Sequence, residues 1–142
     1  MLTPADFMHS RDPSDGSFLD EWHSSQPLGP EVLVRGSASG PSISDIERAN
    51  VVLQNLTALE QRAIHLLEGF MKDAGTWETN AINCGVEAER MQCDFLLCFS
   101  FEATRDPWEY GYTYFNVGFV VHERTHHADQ HGRPIKFVVG FH

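Results

Sequence analysis

The sequence is short of basic residues. Its 142 residues hold 10 lysines and arginines against 20 aspartates and glutamates, which gives a formal net charge of −10. Nucleic acids are bound largely through Lys and Arg contacts to phosphate, so this balance argues against a nucleic-acid partner. It favours a basic protein as the partner, because complementary fields speed association. An acidic surface that serves solubility alone is the alternative.

Cysteines and long hydrophobic runs are also scarce. Cys84, Cys93 and Cys98 are odd in number and lack the spacing of metal ligands. They predict free, buried thiols in a reducing compartment. No apolar run approaches the length of a membrane span. The N-terminus lacks the basic and apolar regions of a signal peptide. These absences predict a cytoplasmic protein with no membrane partner.

The familiar catalytic motifs are missing. The sequence contains no G-x-S-x-G elbow, no P-loop and no G-x-G-x-x-G fingerprint. No serine or cysteine stands beside a histidine in a recognisable nucleophile motif, and the carboxylates are too scattered for a catalytic pair to be assigned. The pattern favours a non-enzymatic protein that uses no cofactor.

One long helix dominates the predicted fold. Ser44-Asp45-Ile46-Glu47 has the pattern of a capping box. Apolar residues then recur at helical spacing as far as Phe70. The pattern predicts a single helix over residues 44–72, whose broad apolar face needs a flat surface to lie on.

Alternation with a period of two predicts strands on both sides of this helix. Residues 91–101, 110–122 and 135–141 carry apolar side chains at every second position. Residues 17–22 and 31–35 are weaker candidates that could pair as a hairpin. For residues 75–90 the composition predicts a loop with at most one helical turn.

These elements predict a single two-layer α+β domain over residues 1–142. Its order is β-β-α-β-β-β, with one long helix packed on an antiparallel sheet of about five strands. Residues 1–15 could be loosely ordered.

A group of aromatic residues lies in the loop between the first and second strands predicted after the helix and at the start of that second strand. Alternation places three tyrosines on the sheet face opposite the helix, beside an aromatic loop with an acidic rim. This composition is typical of an interface hot spot, although tyrosines in strands also pair across strands with solvated hydroxyls. The candidate partner-binding residues are Asp106, Trp108, Glu109, Tyr110, Tyr112 and Tyr114.

Four histidines, His122, His126, His127 and His131, lie within ten residues of one polar connection. The stretch from His122 to His126 matches H-E-x-x-H, in which two helical histidines hold zinc and the glutamate acts as a base. Here the first histidine ends a predicted strand, and Gly132 and Pro134 follow soon after. The connection therefore supports three hypotheses: a metal-dependent hydrolase with His131 or Asp129 as third ligand, adventitious binding of zinc or nickel, and a solvated hairpin loop. The solvated loop is favoured.

The order of the segments resembles a group of small bacterial domains of uncharacterised function. The resemblance covers residues 12–142. It rests on Asp15-Gly16-Ser17-Phe18, on Glu31-Val32-Leu33-Val34, on the helical residues Ala49, Leu53, Asn55 and Leu56, and on the strands that follow. Several such domains resemble immunity proteins of bacterial toxin systems. The resemblance implies a cytoplasmic protein that binds and neutralises a basic toxin domain. The group has no agreed catalytic residues, so the resemblance implies none here.

Overall fold

The structure is a computed structural model that describes residues 1–10, 20–24, 29–121 and 131–142. The helices are α1 (Ile43–Gln54), α2 (Leu56–Phe70) and α3 (Val86–Arg90), and Pro4–Asp6 form a 3-10 turn. The strands are β1 (Met8–Ser10), β2 (Glu21–Ser24), β3 (Glu31–Ser37), β4 (Gly40–Pro41), β5 (Gly75–Cys84), β6 (Phe95–Ala103), β7 (Thr113–Val120) and β8 (Arg133–Phe141).

The described strands form one sheet. Seven of them follow the order β1-β2-β3-β5-β6-β7-β8, and β4 pairs with β3 beside this path. β2 and β3 pair antiparallel, as the predicted hairpin requires, although β2 begins only at Glu21, near the end of the strand predicted over residues 17–22. β3 and β5 run parallel, because the chain crosses between them through α1 and α2. The predicted fold, with one long helix on about five antiparallel strands, is therefore wrong. The described residues form eight strands in one sheet with three short helices.

β5 is the largest departure from the sequence prediction, which made residues 75–90 mainly loop. It pairs with both β3 and β6. A register shift between Thr79 and Ala81 explains why it was missed. Trp77 lies beside Phe101 before the shift and Ile82 beside Leu97 after it, so the core-facing positions change from odd to even. The predicted helical turn within this region is present as α3.

The predicted single helix is broken at Asn55. This residue has φ −117° and ψ 16°, and its side-chain amide donates to the Val51 carbonyl at 2.8 Å. The side chain satisfies a carbonyl near the end of α1 and so stabilises the break. α1 packs against β3 and β5, whereas α2 reaches β8. Two short helices follow a twisted sheet more closely than one straight rod could.

The start of α1 also differs from the predicted capping box at Ser44. Ser42 is the N-cap, and its hydroxyl accepts from the Asp45 amide at 3.3 Å. The buried Asp45 carboxylate accepts from the Arg35 backbone amide at 2.9 Å and from its guanidinium at 2.9 and 2.8 Å. This ion pair fixes the end of β3 to the first turn of α1.

The hydrophobic core lies between the helices and one face of the sheet. The predicted apolar faces of the β6 and β7 regions are confirmed, since their alternating residues are buried: Phe95, Leu97, Phe99, Phe101, Phe115, Val117 and Phe119. Leu2 and Phe7 join this core, and the Leu2 amide donates to Asn50 Oδ1 at 2.8 Å. The segment that precedes β1 is thereby held close to α1.

The second face of the sheet is partly covered as well. α3 packs on β5 and β6, and Leu96 on this face is fully buried. Cys93 contacts Gly118, where an added Cβ would collide with its sulfur. Cys93 precedes β6, which begins at Phe95, whereas Cys98 lies within it. All three cysteines are free, and burial raises the pKa of the Cys98 thiol to about 12.

Over the described ranges, no helix combines the length and the apolar character needed to span a membrane.

Candidate functional site: an aromatic turn and its groove

Residues 104–112 connect β6 to β7 and form a turn, called here the aromatic turn. Its backbone is fixed by local hydrogen bonds. The Trp108 amide donates to Asp106 Oδ1 at 3.1 Å, and the Glu109 amide donates to the Asp106 carbonyl at 3.2 Å. The Gly111 amide then donates to the Trp108 carbonyl at 3.1 Å. Asp106 thus acts as a turn former, and the tip of the turn is well defined.

Two large aromatic side chains of this turn are left in solvent. Trp108 is 85% exposed and Tyr112 is 79% exposed. Glu109 lies beside them, 3.8 Å from the guanidinium of Arg105. A rigid turn that presents a tryptophan and a tyrosine with a charged border has the composition of an interface hot spot.

The three predicted tyrosines do not share one face. Tyr110 lies in the turn, and its ring packs on Phe101 at 5.3 Å and on Phe115 at 6.3 Å, on the core side. Tyr114 lies on the second face, 5.2 Å from the ring of His142. The predicted alternation fails because β7 begins at Thr113, so Tyr110 and Tyr112 precede the strand.

Tyr110 anchors the aromatic turn to the chain that follows α2. Its hydroxyl donates to Asp73 Oδ2 at 2.6 Å. This hydrogen bond, aided by desolvation and by the charge of Asp73, raises the pKa of Tyr110 to about 12. A raised pKa means that the link is intact below the ordinary tyrosine value of 10 and is lost as the pH rises through about 12. The turn is therefore held in place throughout the neutral range.

An apolar groove of about 530 Å³ adjoins the turn. Its lining includes Phe70 at the end of α2, Tyr110 in the turn, Phe115 on β7, and Val139 and Phe141 on β8. Phe141 is 81% exposed, and the backbone amide of His142 donates to the Tyr112 carbonyl at 2.8 Å. That bond joins the end of β8 to the aromatic turn, so groove and turn form one surface.

Phe70 and Phe141 are exposed, contrary to the sequence pattern. Both belong to apolar periodicities, of the helix and of the last strand, for which burial is expected. In the structure α2 ends at Phe70, and β8 is the last strand of the sheet. The last strand of a meander is exposed along one side unless another strand pairs with it. The position of this strand at the end of the predicted meander was therefore the signal that Phe141 could be exposed.

A second pocket, of about 380 Å³, lies where β3 and β5 end and α1 begins. Ligands of α/β proteins often bind at the carboxyl ends of parallel strands. Here, however, both carboxylate oxygens of Asp45 accept from Arg35. Burial raises the pKa of the Cys84 thiol in this pocket to about 12, so it stays protonated and weakly nucleophilic at neutral pH. The pocket is best explained as the surroundings of a structural ion pair.

The histidine cluster lies mostly outside the described residues. His122, His126 and His127 fall there, with Glu123 and Asp129, and the turn signal Asp15-Gly16 does so too. His131 is half-buried just before β8, next to Gly132, whose carbonyl accepts from Arg62 at 2.9 Å. Among residues 1–10, 20–24, 29–121 and 131–142, no group of three or more His, Cys, Asp or Glu is placed to hold a metal ion.

Comparisons of this chain with protein-family models, with curated proteins and with solved structures find no match.

Proposed function

We propose that this chain is a non-enzymatic protein-binding domain whose partner docks on the aromatic turn. The observation that carries the proposal is Trp108, which is 85% exposed at the tip of a turn held by hydrogen bonds. Single exposed apolar residues are common on protein surfaces. A tryptophan is different, since it offers a large contact area with few rotatable bonds. A preorganised turn also reduces the entropy lost on binding.

The partner that fits this surface best is a basic protein. Asp106 and Glu109 lie beside Trp108 in the aromatic turn, and the chain as a whole carries a formal charge of −10. Opposite charge at the border of an interface speeds association and selects among partners. A basic toxin domain neutralised in the bacterial cytoplasm, as the resemblance to immunity proteins implies, is the partner of this kind that we propose.

The groove beside the turn gives the partner a place to insert an apolar side chain. Phe115 forms part of its buried side, and the exposed Phe70 and Phe141 border it. Hot spots are typically a few anchors that fill pockets, surrounded by contacts that exclude water. Trp108 and Tyr112 would be this chain's anchors, and the groove would receive one from the partner.

The metal-dependent hydrolase that the histidine cluster suggested has no specific contact in its favour within the part of the chain that the structure describes. Metal analysis of the purified protein separates the two functions. Near-stoichiometric zinc that is lost in His126→Ala would favour the hydrolase.

Acrylamide quenching of tryptophan fluorescence tests the docking site. Trp108 is exposed, whereas Trp22 and Trp77 are half-buried, so quenching of the free protein should come mainly from Trp108. The probe is a basic toxin domain, the proposed partner, prepared without tryptophan. In the complex, quenching should fall to the level of the Trp108→Ala variant. A complex that leaves quenching unchanged would place the interface elsewhere, and absence of any complex would contradict the proposed partner.

A further inference from the structure

β8 gives the sheet an apolar edge. It pairs with β7 on one side, and no other strand of the described residues pairs with it. Ile135, Val138, Val139 and Phe141 are all exposed, with Val138 at 43%. The opposite edge strand, β1, has only three residues. A long, apolar edge presents backbone amides and carbonyls to any strand that can align with it.

We infer that β8 pairs antiparallel with β8 of a second copy of this chain, giving a two-fold symmetric dimer. A register centred on Val138 puts Val138 opposite itself and Phe137 opposite Val139. Phe137 and Val139 both face the core side, since Phe137 pairs with Val117 and Val139 with Phe115 of β7. Aromatic residues paired across strands with β-branched residues are favourable. A two-fold axis requires a self-complementary surface, and this register provides one.

The charges along β8 fit this register. The strand holds Arg133 and Lys136 and no acidic residue. Lys136 falls opposite Gly140 of the second copy, and its ammonium group already donates to the Met91 carbonyl of its own chain at 2.7 Å. Arg133 extends past Phe141 of the second copy, toward the end of the groove that holds Asp73 and Glu109. No like charges are opposed, and opposite charges come together at both ends.

The apolar groups at the edge add to the backbone pairing. Phe70 lies 5.2 Å from Phe137, above β8. A phenylalanine buries roughly 150–250 Å², but Phe70 is only 55% exposed and Phe141 81% exposed. The two side chains of both copies therefore supply roughly a third to a half of the ~1,200 Å² of a small stable interface. The dimer should therefore be weak and concentration-dependent. Trp108 and Tyr112 lie in the turn beyond the strand ends, so a dimer leaves these two side chains free, whereas Phe70 and Phe141 beside the groove become part of the dimer interface.

Sedimentation velocity of the full chain over a hundredfold range of concentration tests the inference. Near physiological ionic strength the Debye length is about 8 Å, which screens the repulsion between two acidic chains. The protein should shift from its chain mass of 16.0 kDa toward twice that mass as concentration rises. Val138→Lys should stay monomeric, since two lysines would face each other on the two-fold axis. The control is Val51→Lys, the same change at a residue of α1 that is 40% exposed.

Amide hydrogen exchange of residues 135–141 provides a second reading. Exchange should slow as the concentration of the unmodified chain or of Val51→Lys rises, and should not change in Val138→Lys. A chain that remains monomeric over the whole range overturns the inference. So does a dimer that survives Val138→Lys or that is lost in Val51→Lys. Trp108→Ala should still form the dimer, so this test is independent of the proposed partner.

Discussion

At the scale of single residues, the structure depends on the buried carboxylate of Asp45. It accepts from the backbone amide and the guanidinium of Arg35, and this contact raises the pKa of Arg35 above its ordinary value. The bonds join β3 to α1 across ten residues of chain. Removing one member of a buried ion pair leaves groups that were desolvated for each other without a partner.

Asp45→Asn should lower the free energy of unfolding by roughly 2–3 kcal/mol, less than for a fully buried pair, because the Arg35 side chain is 47% exposed. Urea unfolding measures this. The matched control is Glu89→Gln, which removes a contact of the same guanidinium at 3.4 Å between two exposed side chains. It should cost less than about 1 kcal/mol. Equal losses in both variants would show that Asp45 has no special role.

Glu21 on β2 should make the stability of the fold depend on pH. Burial, followed by the charge of Glu87, raises its pKa above the ordinary value of 4.5. The folded chain therefore binds a proton more tightly than the unfolded chain, and stability falls as the pH rises from 4.5 through the raised value. Glu21→Gln should melt at a higher temperature than the parent at neutral pH, with the difference vanishing below pH 4.5. A difference that is constant across this range would contradict the account.

At the scale of elements, Asn55 divides one amphipathic pattern into two helices. The hydrogen bond from its side-chain amide to the Val51 carbonyl stabilises the break. The break lets α1 follow β3 and β5 while α2 reaches β8. Alanine has a higher helix propensity than asparagine. If the break fits the helices to the sheet, a better helix former at this position should not help.

Asn55→Ala should therefore destabilise the protein by about 0.5–1.5 kcal/mol, the value of a typical hydrogen bond, despite the gain in helix propensity. Thermal and urea unfolding give the measurement. Gln54→Ala, at the exposed neighbouring position in α1, should be neutral or slightly stabilising. An Asn55→Ala variant more stable than the parent would show that the break is not required by the packing.

The same elements show what the sequence can predict. β6 and β7 were predictable because Phe95, Phe99 and Phe115 belong to unbroken period-two patterns whose residues are buried. β5 was not, because its register shift moves the core-facing positions from Trp77 to Ile82. The parallel pairing of β3 with β5 was also out of reach, since it joins strands separated by both helices and leaves no local pattern.

The candidate site was predictable in composition and not in geometry. Trp108 and Tyr112 are exposed, and Asp106 and Glu109 accompany them in the same turn. The sequence could not show that Tyr110 turns toward the core. That orientation depends on the hydrogen bond from its hydroxyl to Asp73, which is distant in the chain. Nor could it show the groove, which is formed by three separate segments.

For the whole molecule, the distribution of charge and of exposed apolar side chains is the basis of the two proposed associations. The chain is acidic overall, yet β8 carries only basic charges and an apolar edge. The aromatic turn lies beyond the ends of the strands, where a β8–β8 dimer leaves it accessible. A dimer would thus present two aromatic turns, while the side of each groove bordered by Phe70 and Phe141 faces the second copy.

The decisive measurement is the binding kinetics of this chain with a basic toxin domain, the proposed partner. In the complex, Trp108 and Tyr112 would be shielded from water. Trp108→Ala and Tyr112→Ala should therefore each speed dissociation, with a loss of about 2 kcal/mol or more in affinity. Asp106→Asn and Glu109→Gln should instead slow association and flatten its dependence on salt. If Trp108→Ala and Tyr112→Ala fold normally and bind with unchanged rates, the aromatic turn is not the interface.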